Sequence, residues 1–248
     1  PFSVFRRRAL TVANGVTVAI GSANFGGYFF LSLYLQQVTG YSPLRAGFGF
    51  LPIGLTAFLG AFFGTRLVAR LGVRNQLVLG PAVAAFGLIW MSLTVTPDRA
   101  YAAHLLVPLV LFGVGTGMTF VPMAMAGTQG MPPHQAGLAS ALINTTRQVG
   151  GAIGLAVMST AATALTRHHL TTEHPPSAFT DGYALAFLIA GLGLVAAALL
   201  ALTLPSVPTV TATSTTASSG QPTPDPATPD PATPDPADAP RPAPAPAD

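Results

Sequence analysis

Residues 136–156 read AGLASALINTTRQVGGAIGLA, a run of apolar and small side chains that Asn144, Arg147 and Gln148 interrupt near its middle. The apolar character continues to residue 165, and a helix of this length crosses the hydrocarbon core of a bilayer, which is about 30 Å thick. The three polar residues stand at positions i, i+3 and i+4, so they share one helix face. The stretch predicts a membrane-spanning helix that carries a polar stripe.

Five further apolar runs of comparable length occur along the chain. Half of the 248 residues are hydrophobic and 8% are charged, whereas a soluble domain usually has about 25% charged residues. The breaks between the runs contain turn-forming or charged residues, which are costly within hydrocarbon. We therefore predict an all-α membrane protein, a six-transmembrane-helix bundle whose spans 1 to 6 cover residues 10–36, 44–68, 76–95, 103–126, 136–165 and 182–204.

The segment 205–248 has a different composition, because Pro, Thr, Ala and Asp dominate it and Thr-Pro-Asp-Pro-Ala recurs three times within residues 223–237. It has little apolar surface to bury. We predict a disordered cytoplasmic tail at 205–248 that follows the membrane bundle at 1–204. Since the chain starts at Pro1 and shows no secretory signal, we also expect it to be the downstream part of a longer product.

The distribution of arginine predicts the orientation of the bundle. Lysine is absent, so arginine supplies all the positive side-chain charge at neutral pH. With a cytoplasmic N-terminus, six arginines lie on the inner side and three on the outer side, which the positive-inside rule favours. The arginines are scattered over the helix ends and form no stripe, so nucleic-acid binding is not expected. The inner set is Arg6, Arg7, Arg8, Arg66, Arg70 and Arg74, and the outer set is Arg45, Arg99 and Arg167.

Arg147 is the first candidate functional residue, because a central arginine costs about 2.5–3.5 kcal/mol on insertion scales. It is expected to face a cavity or a partner, together with Asn144 and Gln148. Two interpretations stay open. The side chain either extends toward the cytoplasmic surface, or it borders a transport path or locks an inner gate.

Span 1 carries a second polar set, formed by Asn14, Thr17, Asn24 and Tyr28. Asn14, Thr17 and Asn24 recur at spacings close to whole helical turns, which indicates one polar face. Polar residues on a membrane helix turn toward protein or water. Substrate contact and interhelical hydrogen bonds explain this face equally well.

Several classes of function lack the residues that they need. The chain has no cysteine, which excludes thiol catalysis and Cys-based metal sites. The cluster His168, His169, Glu173 and His174 is assigned to a solvated loop, and no metal site is predicted. No Asp, Glu or Lys falls within a predicted span, so a proton-titrating carboxylate is not expected in this chain. No nucleophile–base pair occurs in the spans, so an enzyme is not predicted.

Three blocks of sequence resemble a known family. They are LSLYLQQVTGYSPLRAGFGFLP at 31–52, GVGTGMTFVP at 113–122 and AGLASALINTTRQVGGAIGLA at 136–156. Over residues 1–204 the chain resembles the C-terminal half of the fourteen-helix drug:proton antiporters of the major facilitator superfamily. Residues 67–74 are similar to that family's cytoplasmic loop motif, with Arg70, Gly72 and Arg74 on its basic and glycine positions and Ala69 where the motif usually has Asp.

The resemblance implies half of a major facilitator fold, built of two inverted three-helix repeats, with substrate bound at the midplane between two halves. It implies proton-coupled export of drug-like small molecules or metabolites by alternating access, with the proton gradient as energy source and no cofactor. The implied partners are a lipid bilayer, a small-molecule substrate, and a missing N-terminal six- to eight-helix half or a partner chain. The implied location is the plasma (inner) membrane. An alternative is a non-transporting membrane sensor or scaffold that acts through its tail.

Overall fold

The computed structural model describes residues 8–96, 104–128, 136–171 and 174–203, and the regular structure within these ranges is helical throughout. The tail predicted at 205–248 lies outside the described residues. The helices are Arg8–Leu33, continued by a π-helical turn at Tyr34–Val38, then Pro43–Gly49, Leu51–Thr94, Leu106–Thr128, Ala136–His169 and Pro175–Ala201.

The longest helix, Leu51–Thr94, contains a reversal of the chain at Gly72. Gly72 has φ 80° and ψ 162°, a region that essentially only glycine adopts. The side-chain Nε2 of Gln76 donates to the carbonyl oxygen of Gly64 at 2.9 Å. In a straight helix Gly64 and Gln76 would lie about 18 Å apart, because twelve residues separate them. Their contact shows that the chain folds back between them, at Gly72. The five apolar stretches that are long enough to cross a membrane therefore supply six spans, as predicted from the sequence.

The ends of spans 5 and 6 differ from the predicted boundaries. The helix of span 5 continues to His169, about one turn beyond residue 165, and the helix of span 6 begins at Pro175, about two turns before residue 182. Pro175 suits the first turn of a helix because its φ angle is already helical and its missing N–H needs no partner there. As a result His168, His169 and Asp181 lie on helices, whereas the sequence placed them in a loop.

Spans 2 and 5 carry the same packing pattern. Span 2 has Ile53, Thr56, Gly60 and Gly64, and span 5 repeats these residue types at the same spacing. Small residues at such spacing let helix backbones approach closely in lipid. The corresponding residues of span 5 are Ile143, Thr146, Gly150 and Gly154.

The contacts of these glycines follow the same repeat. A Cβ on Gly60 would collide with the carbonyl of Val114 in span 4, and a Cβ on Gly150 would collide with Val18 in span 1. Span 2 therefore packs on span 4 in the same way as span 5 packs on span 1. Spans 1 and 2 correspond to spans 4 and 5. This is the relation expected of two three-helix repeats that pack as one bundle.

One further pair sets the register between the repeats. Gly117 of span 4 lies against the carbonyl of Ala57, and Gly21 of span 1 lies against the carbonyl of Arg147. Ala57 of span 2 thus occupies the position that Arg147 has in span 5.

The two ends of the bundle are named here by residues that mark them. Gly72 lies at one end, where Arg74 Nη2 donates to the carbonyl oxygen of Leu202 at 2.7 Å. His169 lies at the other end, where Tyr183 Oη donates to Gln37 Oε1 at 2.6 Å. These are called the Gly72 end and the His169 end below.

Candidate functional site

The polar stripe of span 5 lies on a partly open face of the bundle. Asn144 and Gln148 are exposed and Arg147 is half-buried. Arg147 Nη2 donates to Asn144 Oδ1 at 3.0 Å, as expected for residues one turn apart. The guanidinium carbon of Arg147 stands 6.0 Å from the centroid of the Phe120 ring in span 4. The hydrogen bond and the ring together orient the guanidinium beside span 4.

Within the part of the chain that the structure describes, no acidic side chain lies near the charge of Arg147. Among the residues that the structure describes, Asp181 is the single carboxylate, and it lies at the His169 end. There Asp181 Oδ2 is 2.8 Å from His169 Nδ1. A guanidinium presents five N–H donors in a planar fork. Most of these donors remain available to an anion, to carbonyl oxygens or to another chain, since Asn144 accepts through a single oxygen.

The polar set of span 1 divides into buried and exposed members. Thr17 is fully buried and bonds its own helix at the Ala13 carbonyl, 2.7 Å away. Asn14 is also buried. Asn24 is 8% exposed, and its Oδ1 accepts a bond of 3.3 Å from Thr116 Oγ1 in span 4. For Asn24 this is the interhelical alternative that the sequence left open.

Tyr28 differs from the other three because its side chain is 37% exposed. Its ring lies 5.9 Å from Phe112 in an edge-on arrangement and 6.2 Å from Phe50. The structure therefore does not bring the four residues together on one open face. Tyr28 is the one member of this set with an exposed side chain.

The loop-motif residues form a connection at the Gly72 end. Arg70 is exposed and Gly72 forms the reversal between spans 2 and 3. Arg74 then reaches the last turn of span 6 through its bond to the Leu202 carbonyl. A basic side chain that binds a terminal carbonyl also interacts favourably with the negative end of the helix dipole.

Gln76 is a polar residue that sequence reasoning missed. It is fully buried, and its Nε2 donates to the carbonyl oxygens of Gly64 and Met118, both at 2.9 Å. One amide thus joins span 3 to spans 2 and 4. The sequence signal is weak, because Gln76 is the first residue of a predicted apolar span, where a polar side chain can also face water.

The described residues include no group of three His, Asp or Glu side chains placed to hold a metal ion. The histidine cluster considered from the sequence is divided in the structure. His169 lies beside Asp181, the rings of His168 and His169 have centroids 5.9 Å apart, and Glu173 lies outside the described residues.

Comparison with known proteins identifies relatives over most of the chain. The family model described as Major Facilitator Superfamily matches residues 1–155. The cephamycin export protein of Amycolatopsis lactamdurans is 38% identical over 192 residues, which cover 77% of this chain and 38% of that protein. The puromycin resistance protein of Streptomyces alboniger is 36% identical over 162 residues, which cover 64% of this chain and 32% of that protein.

The lincomycin resistance protein of Streptomyces lincolnensis is 32% identical over 204 residues, which cover 82% of this chain and 40% of that protein. The chain thus spans between about a third and two-fifths of the length of these curated relatives.

Proposed function

Because the chain belongs to the Major Facilitator Superfamily, we propose that it forms one six-helix half of a proton-coupled exporter, which moves drug-like small molecules or metabolites by alternating access. The observation that carries the proposal is Arg147, a half-buried cation inside a membrane span with no described acidic partner. Such a residue is a functional-site hypothesis by default. The names of the relatives, which concern export of or resistance to three chemically different antibiotics, support the same direction of transport.

Arg147 acts in this proposal on the open face between the two halves of the exporter. Asn144 holds the guanidinium beside Phe120, so its remaining donors point to a preferred position and lose little freedom on binding. The bound group is a polar atom of the substrate or of the other half. If Arg147 binds the other half, the contact closes the transport path at the Gly72 end while the exporter is open at the His169 end.

The apolar face of span 2 supplies the contact with the rest of the exporter. Leu55 is 63% exposed and Phe58 is 68% exposed. Beside Leu55 an open groove of about 940 Å³ runs along Phe48, Leu51 and Pro52. Another six- to eight-helix half, or a partner chain, covers this face in the proposal. That half also carries the proton-titrating carboxylate, because Asp181, at the His169 end, is the single carboxylate that the described spans offer.

The bundle is proposed to lie in the plasma (inner) membrane with both termini in the cytoplasm. The arginine asymmetry supports this orientation, since Arg66, Arg70 and Arg74 all lie at or near the Gly72 end, which becomes the cytoplasmic side. The proton gradient is the proposed energy source, and no cofactor enters the cycle.

The proposal is tested by transport in a bacterial host that lacks its main efflux pumps. The protein, in the form in which its own organism expresses it, is produced there with its membrane level verified. Accumulation of puromycin, lincomycin and a cephamycin is then measured with and without a protonophore. We expect reduced accumulation of at least one compound, and restored accumulation after the proton gradient collapses. Unchanged accumulation over a wider panel of compounds would reject the exporter, and efflux that persists without the gradient would reject the coupling.

A further inference from the structure

A cavity of about 420 Å³ lies between spans 1, 5 and 6 at the His169 end. Its walls combine aromatic rings from spans 1 and 6 with hydroxyl groups and one guanidinium from span 5. Arg167 stands on the same helix as Arg147 but twenty residues later, which corresponds to about 30 Å along the axis. The cavity is therefore separate from the polar stripe. The residues that line it include Phe29, Phe30, Thr163, Arg167, Phe179 and Tyr183.

The cavity is built on a part of span 5 that the internal repeat lacks. In the register of the two repeats, Gly72 of span 2 corresponds to Ala162 of span 5. The chain reverses at Gly72, whereas the helix of span 5 continues to His169 for about two more turns. Thr163 and Arg167 lie on these extra turns. The wall that they form is thus an addition to the second repeat and does not follow from the packing that both repeats share.

The aromatic walls are held in place by contacts within the bundle. Tyr183 donates to Gln37 at 2.6 Å, and its ring stacks on Phe179 with centroids 6.2 Å apart and planes at 21°. The ring centroid of Phe30 in span 1 lies 5.8 Å from that of Tyr183, so the two rings contact each other. Rings fixed in this way offer flat apolar surface with little ordering cost on binding.

Arg167 provides the charge at the mouth of the cavity. Its side chain is exposed. Asp181, the single carboxylate among the described residues, bonds His169 at 2.8 Å. No described acidic residue forms an ion pair with Arg167. An arginine with an aromatic pocket below it matches an amphipathic anion, because the guanidinium binds a carboxylate or sulfonate in two-pronged fashion while the rings bury the apolar body.

We propose that this cavity binds an amphipathic organic anion, with its flat body against Phe29 and Phe179 and its carboxylate or sulfonate on Arg167. A volume of about 420 Å³ falls in the usual range of small-molecule sites. It is smaller than a phospholipid with two acyl chains requires. The inference stands on the geometry of the His169 end and does not depend on the exporter proposal.

The test is equilibrium binding of tritiated 2-naphthoate to the full-length protein in phosphatidylcholine nanodiscs. We expect saturable binding that the Arg167→Gln variant weakens about fivefold, the size of a solvent-exposed ion pair. Competition by the uncharged 2-naphthylmethanol should be the same in both proteins, because it uses the aromatic walls alone. Thr163→Trp should abolish binding of both compounds by filling the cavity, while a monodisperse gel-filtration peak shows that the variant folds.

Arg45→Gln is the matched control. Arg45 lies at the same end of the bundle but stacks on Tyr41, with its guanidinium 4.0 Å from the ring centroid and outside the cavity. It should leave 2-naphthoate binding unchanged. An equal loss in Arg45→Gln and Arg167→Gln would mean general attraction to a positive surface and would overturn the proposal, as would equal binding to Arg167→Gln and the unaltered protein.

Repeating the titration in nanodiscs that contain phosphatidylglycerol distinguishes a soluble anion from a lipid headgroup. Unchanged binding of 2-naphthoate supports a soluble ligand. Competition by this lipid that disappears in Arg167→Gln would assign the cavity to a lipid headgroup and overturn the proposal of a soluble anion.

Discussion

Spans 2 and 5 share the face that packs and differ on the face that remains open. Ile53, Thr56 and Gly60 of span 2 have counterparts in Ile143, Thr146 and Gly150, and the glycines and isoleucines of both sets are buried. The neighbouring positions diverge. Leu55 and Phe58 in span 2 correspond to Thr145 and Gln148 in span 5.

The comparison separates structural from functional constraints within one protein. Two helices that must approach the same kind of neighbour retain the same small residues, because a larger side chain would push the backbones apart. The open faces have no such common neighbour. One of them is apolar and suits contact with another part of the proposed exporter, and the other carries Arg147, a cation that is costly in lipid without a partner.

The largest expected effect is a loss of stability when the packing face that spans 2 and 5 share is disturbed. Gly60→Ala and Gly150→Ala should each lower the free energy of unfolding by about 3 kcal/mol, because the new Cβ collides with backbone atoms of Val114 or Val18 and not with a movable side chain end. Unfolding is followed by titrating the purified protein with sodium dodecyl sulfate. Gly193→Ala is the control, since no atom lies within 4 Å of its Cβ position. Clearly unequal losses for the two packing variants would contradict the equivalence of the two spans.

The next largest effect is expected at Gly72, where the chain reverses after span 2, whereas the helix of span 5 continues. Gly72→Ala should destabilise the protein by about 2 kcal/mol, because an alanine pays for a backbone conformation that only glycine adopts readily. Ala162→Gly, at the corresponding position of span 5, should cost about 1 kcal/mol, which is the difference in helix propensity. The same detergent titration measures both. A Gly72→Ala variant as stable as the unaltered protein would show that the reversal does not depend on this residue.

These positions also show which parts of the fold were readable from the sequence. Six spans followed from the length of the apolar runs, since hydrocarbon thickness sets that length. The end of span 5 and the start of span 6 were misplaced, because Pro175 and the polar residues around it suit a loop and a helix start equally. The hydrogen bond that Thr116 donates to Asn24 joins positions 92 residues apart, and spacing along one helix cannot specify a partner on another.

For the candidate site, the sequence likewise predicted the arrangement within one helix but not the contacts between helices. Asn144 and Arg147 were expected on one helix face, and the hydrogen bond between them follows from that placement, because i and i+3 positions meet on any helix. Phe120 as the neighbouring ring depends on how spans 4 and 5 are placed together, and this is a property of the bundle. Gln76 was missed because it stands at the edge of a predicted span, where a polar residue needs no special explanation.

A smaller effect is expected from removing the charge of Arg147 on the open face of span 5, and it should fall on transport. Arg147→Gln should reduce the rate of efflux about tenfold, equivalent to about 1.4 kcal/mol, with little change in unfolding. Arg147→Lys should recover only part of this, because an ammonium lacks the planar fork. Arg66→Gln is the matched control, since Arg66 in span 2 also stands over a ring, 4.6 Å from the centroid of Phe62. Equal losses at both arginines would remove the functional distinction between the two spans.

The smallest expected effect is the coupling between Asn24 and Thr116. In the register of the repeats, Asn24 of span 1 corresponds to Phe120 of span 4, so this hydrogen bond has no counterpart in the other repeat. Asn24→Ala, Thr116→Val and the double variant form a cycle that isolates the bond. Its coupling should be about 0.6 kcal/mol, the average for interhelical hydrogen bonds in a membrane protein, as measured by detergent unfolding. If instead the single variants slow efflux and leave unfolding unchanged, the polar face of span 1 serves the substrate path after all, and both repeats then contribute to function.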